Sequence, residues 1–112
     1  MARGDVFLVG LPASDRREEK GKRPAIAIQT DGSTSPMLMI VPLTSSLGAM
    51  RFSFIVRVEP SELNGLSLPS VAMVFQMRAN DPKRIIRKIG ELEADYLRQI
   101  DNETWKMLKP PN

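Results

Sequence analysis

The chain has 112 residues, 42% hydrophobic and 26% charged, with a formal net charge of +3, which is the size and mixture of one globular domain with a single core. It contains no cysteine and no histidine. That excludes disulfide scaffolds, cysteine zinc sites and thiolate nucleophiles, and removes the usual general acid–base and the commonest metal ligand. The mild positive excess permits a polyanionic partner without requiring one.

The elements follow in chain order. DVFLVGL (5–11) is a short apolar run rich in strand formers and closed by Pro12, so it reads as a strand. ASDRREEKGKR (13–23) is a charge-dense loop. PAIAIQT (24–30) begins with proline, which is tolerated at the first residue of a strand. DGSTSP (31–36) is a turn cluster, and MLMIVPLT (37–44) is a nearly continuous apolar run that predicts a central strand. RFSFIVRVE (51–59) alternates, with Phe52, Phe54, Val56 and Val58 on one side, as a half-buried antiparallel strand does.

VAMVFQM (71–77) makes a fifth strand. In DPKRIIRKIG (81–90), Asp81 as cap, Pro82 in the first turn and Gly90 at the end predict a short helix. ELEADYLRQIDNETWKMLK (91–109) places Leu92, Tyr96, Leu97, Ile100, Thr104, Met107 and Leu108 at three- and four-residue spacings, an amphipathic helix. Five short strands with a trailing helix predict one domain over 1–112, a compact curled barrel of α+β class and mainly β. The apolar runs are too short to span a membrane and the N-terminal stretch lacks a signal peptide's anatomy, so a cytoplasmic location is expected.

Little of the familiar chemistry is present. RGD at 3–5 reads as a turn into the first strand rather than an adhesion motif, and no GxxxxGK[ST] occurs. Asp5, Asp15, Glu18, Glu19 and Asp31 share the N-terminal region without a ligand spacing, so no metal or other cofactor is expected. What remains is arginine with hydroxyls. If strands two and three pair antiparallel through DGSTSP, Arg23 at the start of one lies beside Thr44 at the end of the other. A guanidinium fork with a hydroxyl grips phosphate oxygens and stabilises charge that builds on them. Each residue alone is more often a solvated charge or a turn former.

Four stretches in order, RGDVFLVGLP, EEKGKRPAIAIQTD, VPLTSS and VFQMRANDPKRIIRKIGEL, closely resemble the MazF/PemK family of toxins from bacterial toxin–antitoxin modules. The resemblance implies a five-stranded SH3-like barrel forming a two-fold homodimer, partnered by a MazE-like antitoxin. It also implies a ribosome-independent endoribonuclease that cuts single-stranded RNA. The family's arginine before the strand-two proline is here Arg23 and the threonine of PLTSS is Thr44, the two positions the MazF branch uses at the scissile phosphate. RNA contacts are implied for Glu18, Lys20 and Lys22 of the charged loop, and for Ser45, Gln76 and Arg78. Either Glu18 or Glu19 would orient Arg23.

The PemK branch's acid–base pair is replaced by Met73 and Phe75, so that chemistry is not available here. RANDPK departs from the family's Arg-Thr-Ile-Asp-Lys at Ala79, Asn80 and Pro82. Phe52, Phe54, Phe75 and Trp105 read as core or dimer contacts rather than stacking platforms. Two alternatives stand beside the nuclease: a CcdB-like gyrase inhibitor, whose Trp-Gly-Ile end this chain lacks, and an antitoxin-binding relic that no longer cuts.

Overall fold

The computed structural model describes residues 2–10, 21–32 and 34–111. Its strands are β1 (Asp5–Gly10), β2 (Lys22–Ala27), β3 (Leu38–Thr44), β4 (Ile55–Val58), β5 (Ser70–Met73), β6 (Arg78–Asn80) and β7 (Ile85–Glu91), followed by helix α1 (Ala94–Leu108). All pairings are antiparallel. Neighbours run β4-β5-β3-β2-β1-β7, with β6 added on β3. The mainly β character and the C-terminal helix agree with the sequence. The strand count rises from five to seven.

Of the two additional strands, β6 falls on residues given no element from the sequence, and β7 on a segment expected to be helical. At 81–90 the capping signal is real, since the Asp81 carboxylate accepts from the Lys83 N–H at 2.9 Å, but the 3-10 turn it starts lasts only Pro82–Arg84. The chain then extends as β7 and pairs along β1, from Val9 opposite Ile85 to Asp5 opposite Glu91. An otherwise unpaired β1 edge and the β-branched residues of IIRKI outweigh the helix signal, because tertiary pairing overrides local propensity. The expected strand 51–59 is also shortened. Leu47–Arg51 forms a 3-10 turn, Phe54 has φ 60, and only Ile55–Val58 pairs. A bulky residue at positive φ breaks the alternation at that point.

β3 is the hub. One edge takes β2, with Ala25 opposite Pro42 and Ala27 opposite Ile40. The other takes β5 at Leu43 and Thr44, and β6 from Leu38 to Ile40. Leu43 pairs with Ala72, yet Ile40 pairs with Arg78 rather than Phe75, so the 3-10 turn Val74–Gln76 offsets the register between β5 and β6. Pro42 lacks an N–H and falls in the gap between those two partners, where it interrupts no ladder on that edge.

Both faces of the sheet are buried. Val6, Ile26, Val41 and Leu43 pack with Val56, Val58 and Ile100 in the main cluster, while Phe7, Val9, Ala25, Ala27 and Ile40 form a second. Each fully buried Ile or Leu contributes about 1.5–3 kcal/mol. α1 closes the main cluster with Ile100, Tyr96, Leu97 and Met107, as its spacing predicts, but Leu108 and Trp105 are each 65% exposed. Trp105 lines a groove between α1 and β4 and is therefore not a core residue. The 3–5 turn is tied inward. Arg3 Nε donates to the Ile28 carbonyl and pairs with Asp101, while buried Asp5 pairs with Lys88 at 3.2 Å. No helix among the described residues is long and apolar enough to cross a membrane.

Candidate functional site

The rim at which β2 begins and β3 ends is an open cleft of ≈ 590 Å³. Continuing the Ala25–Pro42 register two residues outward brings half-buried Arg23 opposite half-buried Thr44. Both side chains line the cleft, so the antiparallel pairing expected from the sequence does bring them together. Its remaining lining comes from three places. The turn after β3 gives Ser46, Ala49, Arg51 and Phe52; β5 gives Met73; the turn and strand that follow give Gln76 and Arg78.

Local geometry orients these groups. The Thr44 hydroxyl oxygen accepts the Ser46 N–H at 3.1 Å, which fixes the oxygen and leaves its proton to donate. The register offset at Val74–Gln76 directs the chain past the end of β5, so that exposed Gln76 and Arg78 reach the same cleft as Arg23. Arg51 Nη1 donates to the Gly48 carbonyl at 2.9 Å, and its guanidinium carbon lies 4.4 Å over the Phe52 ring. Three guanidiniums, a hydroxyl pair and an amide line the cleft, with no carboxylate among the described lining residues. Such a surface suits an anion with planar substituents, and arginine forks bind phosphate oxygens bidentately.

The structure thus gathers Arg23, Thr44, Gln76 and Arg78. Lys22 is exposed at the first position of β2 and Ser45 is exposed in the turn after β3; neither is among the lining residues. Glu18, Glu19 and Lys20 lie outside the described residues. Ser46, Arg51, Phe52 and Met73 were not anticipated as site residues. Phe52 was expected to face inward, yet it is 42% exposed at the cleft, because the positive φ at Phe54 ends the strand before reaching it. The adjacent arginine was the available signal. Phe54 and Phe75 are partly buried against apolar clusters, as expected.

Among the described residues, Lys88 and Glu93 have shifted titration, and both lie away from the cleft. Lys88 is raised by its hydrogen bonds to Glu91 and Asp5. For Glu93, burial pushes the carboxyl upward, but hydrogen bonds from Ser61, its own backbone and Asn64 outweigh it and hold it below its ordinary value.

Comparison with known proteins identifies the family and the fold. The family model described as PemK-like, MazF-like toxin of type II toxin–antitoxin system matches residues 2–108. An endoribonuclease MazF of Staphylococcus saprophyticus is 29% identical over 104 residues, covering 91% of this chain and 86% of that protein. A MazE–MazF structure from Deinococcus radiodurans superposes with a TM-score of 0.73 at 20% identity, covering 99% of this chain and 97% of the other. An endoribonuclease in complex with its cognate antitoxin from a mycobacterial species gives 0.74 at 16% identity, over 100% and 98%. At those identities the two structures speak for the fold.

Proposed function

The chain belongs to the PemK-like, MazF-like toxin family of type II toxin–antitoxin systems, and from that membership we propose that it is an endoribonuclease cutting single-stranded RNA at a short sequence, independently of the ribosome. The observation that carries this reading is Arg23 and Thr44 lining one arginine-rich cleft, just beyond the last paired residues of β2 and β3. RNA supplies its own nucleophile. The cleft needs only to align the 2′-hydroxyl with the leaving 5′-oxygen and to stabilise the charge between them. The O2′–P bond forms as the P–O5′ bond breaks; the 2′ proton goes to solvent and the 5′-oxygen is protonated from solvent. Arg23 neutralises the pentavalent phosphorane, and its high pKa makes it an electrostatic partner rather than a proton donor. Thr44 donates to a non-bridging oxygen. Gln76 and Arg78 hold the neighbouring nucleotides, with Lys22 and Ser45 as outer contacts.

The named relatives support a partner as well as a reaction. One similar structure is a MazE–MazF complex and another holds an endoribonuclease with its cognate antitoxin. We assign this chain a MazE-like antitoxin whose acidic tail covers the cleft and excludes RNA, a homodimeric state and a cytoplasmic location. The test is incubation of purified protein with a long RNA in EDTA, followed by mapping of new ends. Cleavage at a recurring short motif, leaving 2′,3′-cyclic phosphate and 5′-hydroxyl ends, is expected. Products bearing 5′-phosphates, or no cleavage at all, would overturn the mechanism.

A further inference from the structure

The cleft has a wall that the phosphate chemistry above does not use. Phe52 lines it while 42% exposed, in contrast to the partly buried Phe54 and Phe75. Its ring centroid lies 5.1 Å from that of Phe75, tilted by 58°, and the Arg51 guanidinium carbon sits 4.4 Å over the ring. Both of these neighbours are anchored. Arg51 donates to the Gly48 carbonyl at 2.9 Å, and the Phe75 N–H donates to the Phe54 carbonyl at 3.2 Å. Phe52 thus touches both Phe75 and Arg51, and Phe52 and Arg51 line the same cleft as Arg23 and Thr44.

Aromatic rings and guanidinium planes are the two surfaces on which proteins stack unpaired bases. A phenylalanine serving only the core would be buried, and an arginine serving only as a phosphate clamp would not need a ring beneath it. Gln76, in the same cleft, carries the donor and the acceptor required to read a base edge. We propose that Arg51 and Phe52 form a base-stacking subsite that holds one unpaired nucleobase beside the scissile phosphate, with Gln76 reading its edge. The inference rests on the RNA-cutting reading above and adds a specificity element to it. Its 42% exposure also sets aside the core role expected of Phe52 from the sequence.

The test separates stacking from mere structural support. An RNA spanning the mapped cut, with a 2′-O-methyl group at the cut to block cleavage, is made with a single abasic nucleotide moved along it, and binding is read by fluorescence anisotropy. With the unaltered protein, one abasic position within two nucleotides of the cut should weaken binding about 5- to 150-fold, the range for a stacked base. Phe52→Ala should weaken binding of the intact RNA by a similar factor, and the abasic change should then add less than about twofold. Phe52→Trp should retain the full penalty. Arg51→Lys, which keeps the charge but not the plane, should reduce it. If Phe52→Ala weakens every RNA equally, or none, the subsite is overturned while cleavage stands. If the unaltered protein neither cuts nor binds RNA, the underlying reading fails and the subsite fails with it.

Discussion

Replacing Thr44 by valine removes one hydroxyl from the cleft and little else. Thr44 ends β3 opposite Val71, a position that suits valine as well as threonine. The hydroxyl's structural task is the 3.1 Å bond from the exposed Ser46 N–H, which water can replace. Losing it costs about 0.5–1.5 kcal/mol, a drop in Tm of no more than about 10 °C. Its chemical task is larger. A donor placed where transition-state charge develops typically accounts for about 10²–10³ in kcat. Thr44→Val should therefore lose about two to three orders of magnitude in cleavage at saturating protein, with RNA affinity changed far less. Thr44→Ser restores the donor and should recover most of the rate. The assay is single-turnover cleavage of a fluorophore–quencher RNA, run beside a thermal melt. A Thr44→Val protein that melts normally and cuts within about threefold of the unaltered rate would refute the assignment.

Three other outcomes are expected of the fold and its chemistry. Gly65 has φ +72, and a Cβ there would lie 1.9 Å from the Ile89 carbonyl oxygen, whereas a Cβ on Gly21 at φ +71 would meet nothing within 4 Å among the described residues; Gly65→Ala should cost more than about 3 kcal/mol by thermal melting and Gly21→Ala about 1 kcal/mol. Equal losses would contradict the close approach of the 61–66 loop to β7. Because the Glu93 carboxyl is held below its ordinary value when folded, it contributes stability above the unfolded pKa of 4.5, and loses it as pH falls through the folded value. Melting curves of Glu93→Gln should thus decline less steeply than those of the unaltered protein on acidification below about pH 4.5. Deoxyribose just 5′ of the cut should stop cleavage while weakening binding only about fivefold, since one neutral hydrogen bond contributes about 1 kcal/mol; cleavage of that RNA would show that water is the nucleophile.

The fold was legible wherever local pattern and tertiary pairing agree. β1 and β3 are built on apolar runs bounded by turn residues, β2 starts two cations earlier than the apolar run at Pro24 and ends at Ala27, and α1 carries a clear three- and four-residue spacing that Ile100, Tyr96, Leu97 and Met107 satisfy. The misread segment, 81–90, obeys the helix rules for only one turn. Nothing near it in sequence reports that β1 offers an edge, or that Gly90 must lack a side chain because the Asn64 carbonyl carbon and oxygen would lie 2.4 and 2.5 Å from a Cβ. Its glycine was taken as a helix end. In the structure it is a point where two strands of chain pass close together, with the Glu91 N–H donating to the Leu63 carbonyl at 2.8 Å.

The same distinction divides the cleft. Arg23 and Thr44 could be paired from the sequence because they depend on one turn joining two strands: given an antiparallel register, the start of β2 must meet the end of β3. Arg51 and Phe52 depend instead on where the fourth strand begins, and the positive φ of Phe54 delays that beginning by several residues. A period-two pattern carries no mark of such a break. Gln76 and Arg78 lie between these cases. The family resemblance implies their roles, but they reach the cleft through the register offset at Val74–Gln76, where β5 leaves β3 and β6 rejoins it. Two interruptions in regular pairing thus build the walls around a rim that regular pairing alone provides. On this reading, substitutions that straighten either interruption should alter which RNA is held more than whether its phosphate can be cut.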